Sequence, residues 1–125
     1  MEFHKMLRGW KDVEEYPAQT ILFQEAASAD FLYIIMSGEV ELTLRGEPLG
    51  TEKTGGIIGE MAIARSATRS STAKALTDVK LARVDRDQLS VMMRDNSDFS
   101  LHVMAVLADR LRTVNQFITT HFKSG

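Results

Sequence analysis

Gly55-Gly-Ile-Ile-Gly-Glu60 opens the most informative stretch of this chain, which continues through Met61-Ala-Ile-Ala64 to Arg69-Ser-Ser-Thr72. It combines a glycine turn, a carboxylate and the expected start of a short helix with an arginine beside hydroxyl groups. A helix start offers free backbone N–H groups to an anion, and a planar guanidinium matches phosphate oxygens two at a time. Glu60 could accept a hydrogen bond from a sugar hydroxyl. The combination predicts a site for a phosphate joined to a sugar, as in a nucleotide.

The size and composition of the chain predict one globular domain of 125 residues. Hydrophobic residues make up 44% and charged residues 26%, and there is no cysteine, which excludes a disulfide framework. The formal net charge of −2 disfavours a protein that binds nucleic acid by itself. No apolar run is long enough to span a membrane, and the mixed, charged N-terminus does not resemble a signal peptide. We therefore expect a cytoplasmic protein without direct nucleic-acid or membrane contacts.

The middle of the chain, from about residue 16 to 84, has the two-residue period of β-strands. Strands are predicted at residues 20–24, 31–36, 39–45, 71–76 and 79–84. The segment 31–36 is almost continuously apolar, which is typical of a strand buried on both faces. Residues 46–50 are expected to form a loop. Short strands with frequent turns predict a mainly β fold, an antiparallel β-roll of the jelly-roll barrel type.

The last part of the chain, residues 85–122, is predicted to be helical, whereas residues 1–15 are a helical or irregular lead-in. Asp85 with Gln88 resembles a capping box and opens a helix to about residue 94. A second helix is expected from residues 96–98 to about 122, a length of about 39 Å at the usual rise per residue. A heptad seam with steps of 4, 3, 4 and 3 comprises Leu107, Leu111, Val114, Ile118 and His121. This seam predicts a homodimer, and the alternative is one wide core face without a partner.

These motifs, in this order, resemble the cyclic nucleotide-binding domain, the sensor module of the catabolite activator protein family and of cyclic-nucleotide-dependent kinases and channels. The resemblance runs from about residue 16 to 115. It includes Tyr16-Pro-Ala-Gln-Thr-Ile-Leu-Phe, Phe31-Leu-Tyr-Ile-Ile-Met-Ser-Gly-Glu-Val, and the glycine and arginine segments quoted above as the phosphate-binding cassette. One departure is Ala26-Ala27, where the family often has Gly-Glu. We expect this change to alter a turn without touching the ligand.

Two arginines compete for the phosphate role, because Arg65-Ser-Ala-Thr also resembles the arginine segment of the family. Members of the family have a small residue six positions after the arginine, a polar residue nine after and an apolar strand residue twelve after. Counted from Arg69 these are Ala75, Asp78 and Leu81, which fit. Counted from Arg65 the last is Thr77, which breaks the pattern. The phosphate is therefore assigned to Arg69.

The resemblance implies a role for each site residue. The phosphate would be bound by Arg69, Ser70 and Ser71 and by the backbone amides of Met61 and Ala62. Glu60 would bind the ribose 2′-hydroxyl, with Gly59 permitting close approach of the backbone. The base would meet Thr113, Val114 and Asn115 on the long helix. His4, His102 and His121 lack the spacing of metal ligands, and no catalytic constellation is recognisable.

The predicted function is a non-catalytic sensor for a cyclic mononucleotide, with cAMP favoured over cGMP by a small margin and with no cofactor or metal. Its C-terminal helices would form a homodimer and transmit binding to an unidentified effector. The alternative is the same fold without nucleotide binding, acting as a docking or dimerisation module. Retention of both Glu60 and Arg69 favours the sensor. Since no output domain is recognisable, the chain is expected to be a free-standing sensor or a part of a larger protein.

Overall fold

The computed structural model describes residues 6–60, 68–69 and 71–122, apart from the side chains at positions 114, 117, 121 and 122. Within these residues, strands precede helices along the chain. The strands are β1 (Val13–Tyr16), β2 (Ile21–Phe23), β3 (Phe31–Ser37), β4 (Val40–Leu44), β5 (Glu47–Glu52), β6 (Ile57–Ile58), β7 (Thr72–Ala75) and β8 (Val79–Asp85), and the helices are α1 (Arg86–Asp95) and α2 (Ser97–Phe122). Neither helix, as far as it is described, is sufficiently long and apolar to cross a membrane.

The strands form two four-stranded antiparallel sheets, with the orders β1-β8-β3-β6 and β2-β7-β4-β5. Non-consecutive strands are neighbours in both sheets, as expected when a β-roll folds back on itself. The predicted fold class, a mainly β roll followed by C-terminal helices, is confirmed.

Strand β3 is the centre of the molecule, because its two faces lie in two different hydrophobic clusters. Leu32 and Ile34 face a cluster completed by α1 and α2, which includes Phe99. Tyr33 and Ile35 face the interior between the two sheets. Burial on both faces explains why the sequence of β3 is continuously apolar instead of alternating.

The hairpin of β4 and β5 corrects the prediction of a loop at residues 46–50. Strand β5 pairs along β4, from Val40 opposite Glu52 to Leu44 opposite Glu47. The turn contains only Arg45 and Gly46, both with positive φ, of 53° and 81°. A loop was predicted partly because of Pro48. A proline is tolerated in β5 because this strand lies at the edge of its sheet. The predicted boundary between the lead-in, residues 1–15, and the β-roll also lies too late, because β1 begins at residue 13.

The start of α1 confirms the predicted capping box. The Asp85 carboxylate accepts from the Gln88 backbone N–H at 2.7 Å, and the Asp85 N–H donates to Gln88 Oε1 at 2.9 Å. Helix α2 begins at Ser97, as predicted, and buries Phe99 and Val103 against the first hydrophobic cluster.

The exposed seam of α2 differs from the predicted one. Leu107 is partly buried against the domain's own core, because it lies one turn after the buried Val103. Among the described side chains of α2, the large hydrophobic ones that are exposed are Leu101, Met104, Leu111 and Ile118, with exposed fractions of 48–64%. Their steps of 3, 7 and 7 still follow a heptad, but on a neighbouring face. The side chains of Val114 and His121 lie outside the described residues.

Candidate functional site

The backbone of Arg69 is fixed by the turn before β3. Its N–H donates to the Ala27 carbonyl at 2.8 Å, and its carbonyl accepts from the Ala26 N–H at 2.9 Å. An isolated β-bridge between Ser28 and Thr68 continues this pairing. Ala26 has a φ of 68°, in the left-handed region that disfavours alanine. The change at Ala26-Ala27 was expected to alter a turn without touching the ligand, and the backbone of this turn positions Arg69.

The side chain of Arg69 is buried, with 5% of the residue exposed. Its Nη1 donates to the Gly59 carbonyl at 3.2 Å. Its Nε is buried and has no hydrogen-bond partner within the described part of the chain, and no carboxylate described here forms an ion pair with it. Buried polar groups are almost always hydrogen-bonded, so an orphaned N–H on a buried cation indicates a place for an anion.

The pKa of Arg69 is lowered chiefly because burial removes the guanidinium from water. The neighbouring Tyr33, Asp30 and Glu60 act in the opposite direction. Arginine stays protonated in proteins at any physiological pH. Arg69 is therefore a desolvated positive charge, which would bind a phosphate more strongly than an exposed arginine does.

Gly59 lies directly beside the guanidinium. Its φ of 74° is in the left-handed region, and a Cβ built there would collide with Arg69 Nη1. Glycine was predicted at this position to permit close approach of a backbone. The close approach in the structure is between Gly59 and the Arg69 side chain.

The carboxylate of Glu60 is also buried, at 9% exposure, and it is held by an arginine from α2. Arg110 Nη1 donates to both carboxylate oxygens of Glu60 at 2.9 Å. Its Nη2 donates to Glu52 Oε1 at 2.9 Å and to the Ile57 carbonyl at 3.1 Å. The Arg110 side chain is 10% exposed and that of Glu52 30%. This three-residue network joins the site to the long helix.

A second contact from α2 reaches the same segment. The His102 ring Nε2 lies 2.9 Å from the Gly55 carbonyl, which fits an Nε2–H donor because a carbonyl can only accept. Residues 55 and 57, at the start of the glycine stretch, are therefore both tied to α2, one by His102 and the other by Arg110.

The remaining predicted site residues fall into two groups. Ser71 is buried, Thr113 donates its hydroxyl to the Asp109 carbonyl of its own helix, and Asn115 is exposed. Met61, Ala62 and Ser70, the competing Arg65, and the side chain of Val114 lie outside the described residues.

Arg110 is the functional candidate that the sequence prediction missed. Its spacing from Phe99, Val103 and Val106 puts it on the same helical stripe as these apolar residues, where its charge is anomalous. A charged residue in a buried stripe requires a buried partner. The sequence therefore contained a signal for the pair of Arg110 and Glu60. A charge in an apolar stripe needs a partner, and a buried Glu60 needs a cation.

The chain is similar to known proteins in both sequence and fold. The family model described as the cyclic nucleotide-binding domain matches residues 13–96. The CRP-like cAMP-activated global transcriptional regulator of Mycobacterium tuberculosis is 34% identical over 107 residues, which cover 81% of this chain and 47% of the regulator. The chain thus spans just under half the length of this curated relative.

Two solved structures are similar to the chain. The c-di-GMP-responsive global regulator CLP of Xanthomonas campestris superposes with a TM-score of 0.80 at 22% identity, over 98% of this chain and 64% of that one, which shows the shared fold. The cAMP-bound form of the EAL enzyme Bd1971 has a TM-score of 0.61 at 31% identity, over 86% of this chain and 30% of that one. With the family model covering most of its length, the chain belongs to the cyclic nucleotide-binding domain family.

Proposed function

We propose that this member of the cyclic nucleotide-binding domain family is a non-catalytic sensor that binds a cyclic mononucleotide, cAMP or cGMP, at the site of Arg69 and Glu60. The observation that carries the proposal is the buried guanidinium of Arg69, which forms no ion pair within the described residues and lies near the buried carboxylate of Glu60. A phosphodiester with an attached ribose supplies what both groups require: an anion for Arg69 and a hydroxyl donor for Glu60. A docking module would gain nothing from burying a cation without a counter-charge.

The phosphate is proposed to bind the N–H edge of Arg69, including its orphaned Nε. Ser71 is buried next to the start of β7, and we propose that it supports this end of the site. Ser70 and the amides of Met61 and Ala62 keep their proposed phosphate contacts from the resemblance. The charges match, since one phosphodiester anion balances one guanidinium.

The ribose is proposed to donate its 2′-hydroxyl to Glu60. A carboxylate has about four lone-pair positions, so Glu60 could accept from the sugar and still retain a bond from Arg110. Sharing the carboxylate changes how strongly Arg110 is held. Because Arg110 belongs to α2 and Glu60 to the nucleotide site, this pair is our proposed route of transmission to the C-terminal helices. If α2 has two arrangements, the nucleotide can shift the equilibrium between them only by as much as its affinities for the two differ.

The base is proposed to meet Thr113 and Val114, which follow Arg110 by three and four residues and so lie on the same face of the helix. Asn115 lies instead between Leu111 and Ile118 along the exposed seam, at steps of 4 and 3. A base contact from Asn115 would therefore come from a second copy of the chain.

The exposed seam of α2 is our proposed homodimer surface. Its apolar members repeat with heptad spacing, and Asn115 occupies the same stripe, where a single polar residue can set the register of paired helices. Replacing Leu111 and Ile118 by glutamate should then yield monomers in sedimentation velocity. Gln116→Glu, on an exposed position away from the seam, is the matched control and should leave the dimer intact. An unchanged sedimentation coefficient in the seam variant would contradict the proposal.

The function itself is tested by isothermal titration of the chain with cAMP, cGMP and 5′-AMP. We expect saturable binding of at least one cyclic nucleotide and much weaker binding of 5′-AMP, whose dianionic, open phosphate does not fit a site with one charge-matched arginine. Absence of binding by a folded sample would favour the docking module instead.

A further inference from the structure

An aromatic ring, instead of a carboxylate, faces the buried cation of the site. The guanidinium carbon of Arg69 lies 4.3 Å from the centroid of the Phe23 ring, within the range of a cation–π contact. Phe31 and Tyr33 are farther away, at 5.9 and 6.0 Å. The Phe23 and Tyr33 rings are nearly parallel, at 8° with centroids 6.4 Å apart, and Phe31 meets Tyr33 edge-on. These neighbours hold the ring of Phe23 in place.

Arg110 and Arg83, two other arginines near these residues, are paired with carboxylates. Arg110 engages Glu60 and Glu52. Arg83 lies 5.0 Å from the Phe31 ring, but it also pairs with Asp12 and Glu14. Among these three arginines, Arg69 alone lacks an ion pair to a described carboxylate, and it is the one that faces Phe23.

The kind of partner that neutralises an arginine decides whether its N–H donors remain available to a ligand. A guanidinium is planar, and its N–H donors point outward in that plane. An aromatic ring stabilises the charge without accepting hydrogen bonds from these donors, whereas a carboxylate would occupy them and would have to be displaced by a phosphate. Arg110 binds both oxygens of Glu60, so this buried carboxylate is already paired with another cation.

We propose that Phe23 is a positioning residue, which holds the Arg69 guanidinium charged and oriented so that its orphaned Nε–H is available to a phosphate. The cation–π contact with Phe23 can persist when the anion binds, because the ring takes no hydrogen bond from the guanidinium. This inference rests on the proposed nucleotide function and deepens it, since it states what prepares Arg69 for the phosphate.

The test replaces Phe23 with its mono-, di- and trifluorinated forms, which keep the shape of the ring and progressively remove the negative charge of its face. Titration with cAMP and cGMP should give a logarithm of the association constant that falls steadily with each fluorine. Phe23→Leu should lower affinity about tenfold, in line with a desolvated cation–π contact. Phe23→Tyr keeps an aromatic ring and should retain the wild-type affinity. Phe31→Leu, at the greater distance, is the matched control and should change affinity less than Phe23→Leu does.

The outcomes separate the two proposals. Affinity that stays flat across the fluorinated series, while the wild type binds, would overturn the role of Phe23 and leave the proposed function standing. A wild type that binds neither nucleotide would overturn the proposed function, and this inference with it. Since fluorination conserves the shape of the ring, the fluorinated series tests the role of Phe23 even if Phe23→Leu fails to fold.

Discussion

Removing the cation partner of Glu60 should destabilise the domain more than an exposed ion pair on the same helix could. The change is Arg110→Met, which keeps an unbranched apolar stem and removes the charged guanidinium. It leaves Glu60, with only 9% of its side chain exposed, as a buried carboxylate without its partner. Breaking one side of a buried pair costs about 3–5 kcal/mol. Since Glu52 is 30% exposed and can turn to water, we expect the lower end, about 3 kcal/mol.

Urea unfolding measures this loss. With a slope of about 1.5 kcal/mol/M, typical of a small domain, a loss of about 3 kcal/mol lowers the midpoint by about 2 M. Glu60→Gln should cost about 1 kcal/mol, because Arg110 still has Glu52. The double variant should be less destabilised than the sum of the two, with a coupling of about 2 kcal/mol.

The matched control is Arg112→Met. Arg112 pairs with Asp109 on the same helix, but both side chains are mostly exposed, at 67% and 72%. Such a pair contributes about 0.5 kcal/mol or less. If Arg110→Met unfolds at the same urea concentration as Arg112→Met, or if the two single changes add without coupling, the buried network does not hold α2 to the site.

Three further outcomes are expected. Ala26→Gly should relieve the left-handed strain and raise stability by about 0.5 kcal/mol, after the greater freedom of unfolded glycine is subtracted; a lower melting temperature would contradict this. The hydrogen bond to Glu14 is the main cause that raises the pKa of Tyr16 to about 12. This hydrogen bond contributes fully to stability below pH 10.0, the ordinary pKa of tyrosine, and its contribution is lost as the pH rises towards 12. The difference in unfolding free energy between the wild type and Tyr16→Phe should therefore decrease over this pH range. Leu111→Glu alone should weaken dimerisation detectably in sedimentation equilibrium, and a wild-type profile would argue against the seam.

Much of the fold could be predicted from local chemistry. The apolar run of β3 reports burial on both faces, and the capping box of α1 is a property of four consecutive residues, Asp85 to Gln88. Such features depend on neighbours in sequence and are visible there. Strand β5 was missed for the opposite reason. Glu47, Pro48 and Gly50 have the composition of a turn, and only pairing with β4 makes them a strand.

The choice of Arg69 over Arg65 came from the family's pattern of residues after the arginine, and it stays a prediction. Arg69 lies buried beside Gly59. The partner of Glu60 was not predictable in the same way. Arg110 is fifty residues away, and only the packing of α2 against β5 and β6 brings its guanidinium to the two carboxylates. The same packing turns Leu107 inward and moves the exposed seam to a neighbouring face.

The most direct measurement compares Arg69→Ala with Arg65→Ala in calorimetric titrations with cAMP and cGMP. Removal of Arg69 deprives a buried phosphate of its charge-matched donor, and truncating one side of a buried charge pair costs about 2–5 kcal/mol. We therefore predict an affinity at least about thirtyfold lower, with Arg65→Ala close to the wild type. If Arg69→Ala binds as tightly as the wild type while Arg65→Ala does not, the phosphate lies elsewhere and the proposed site is wrong.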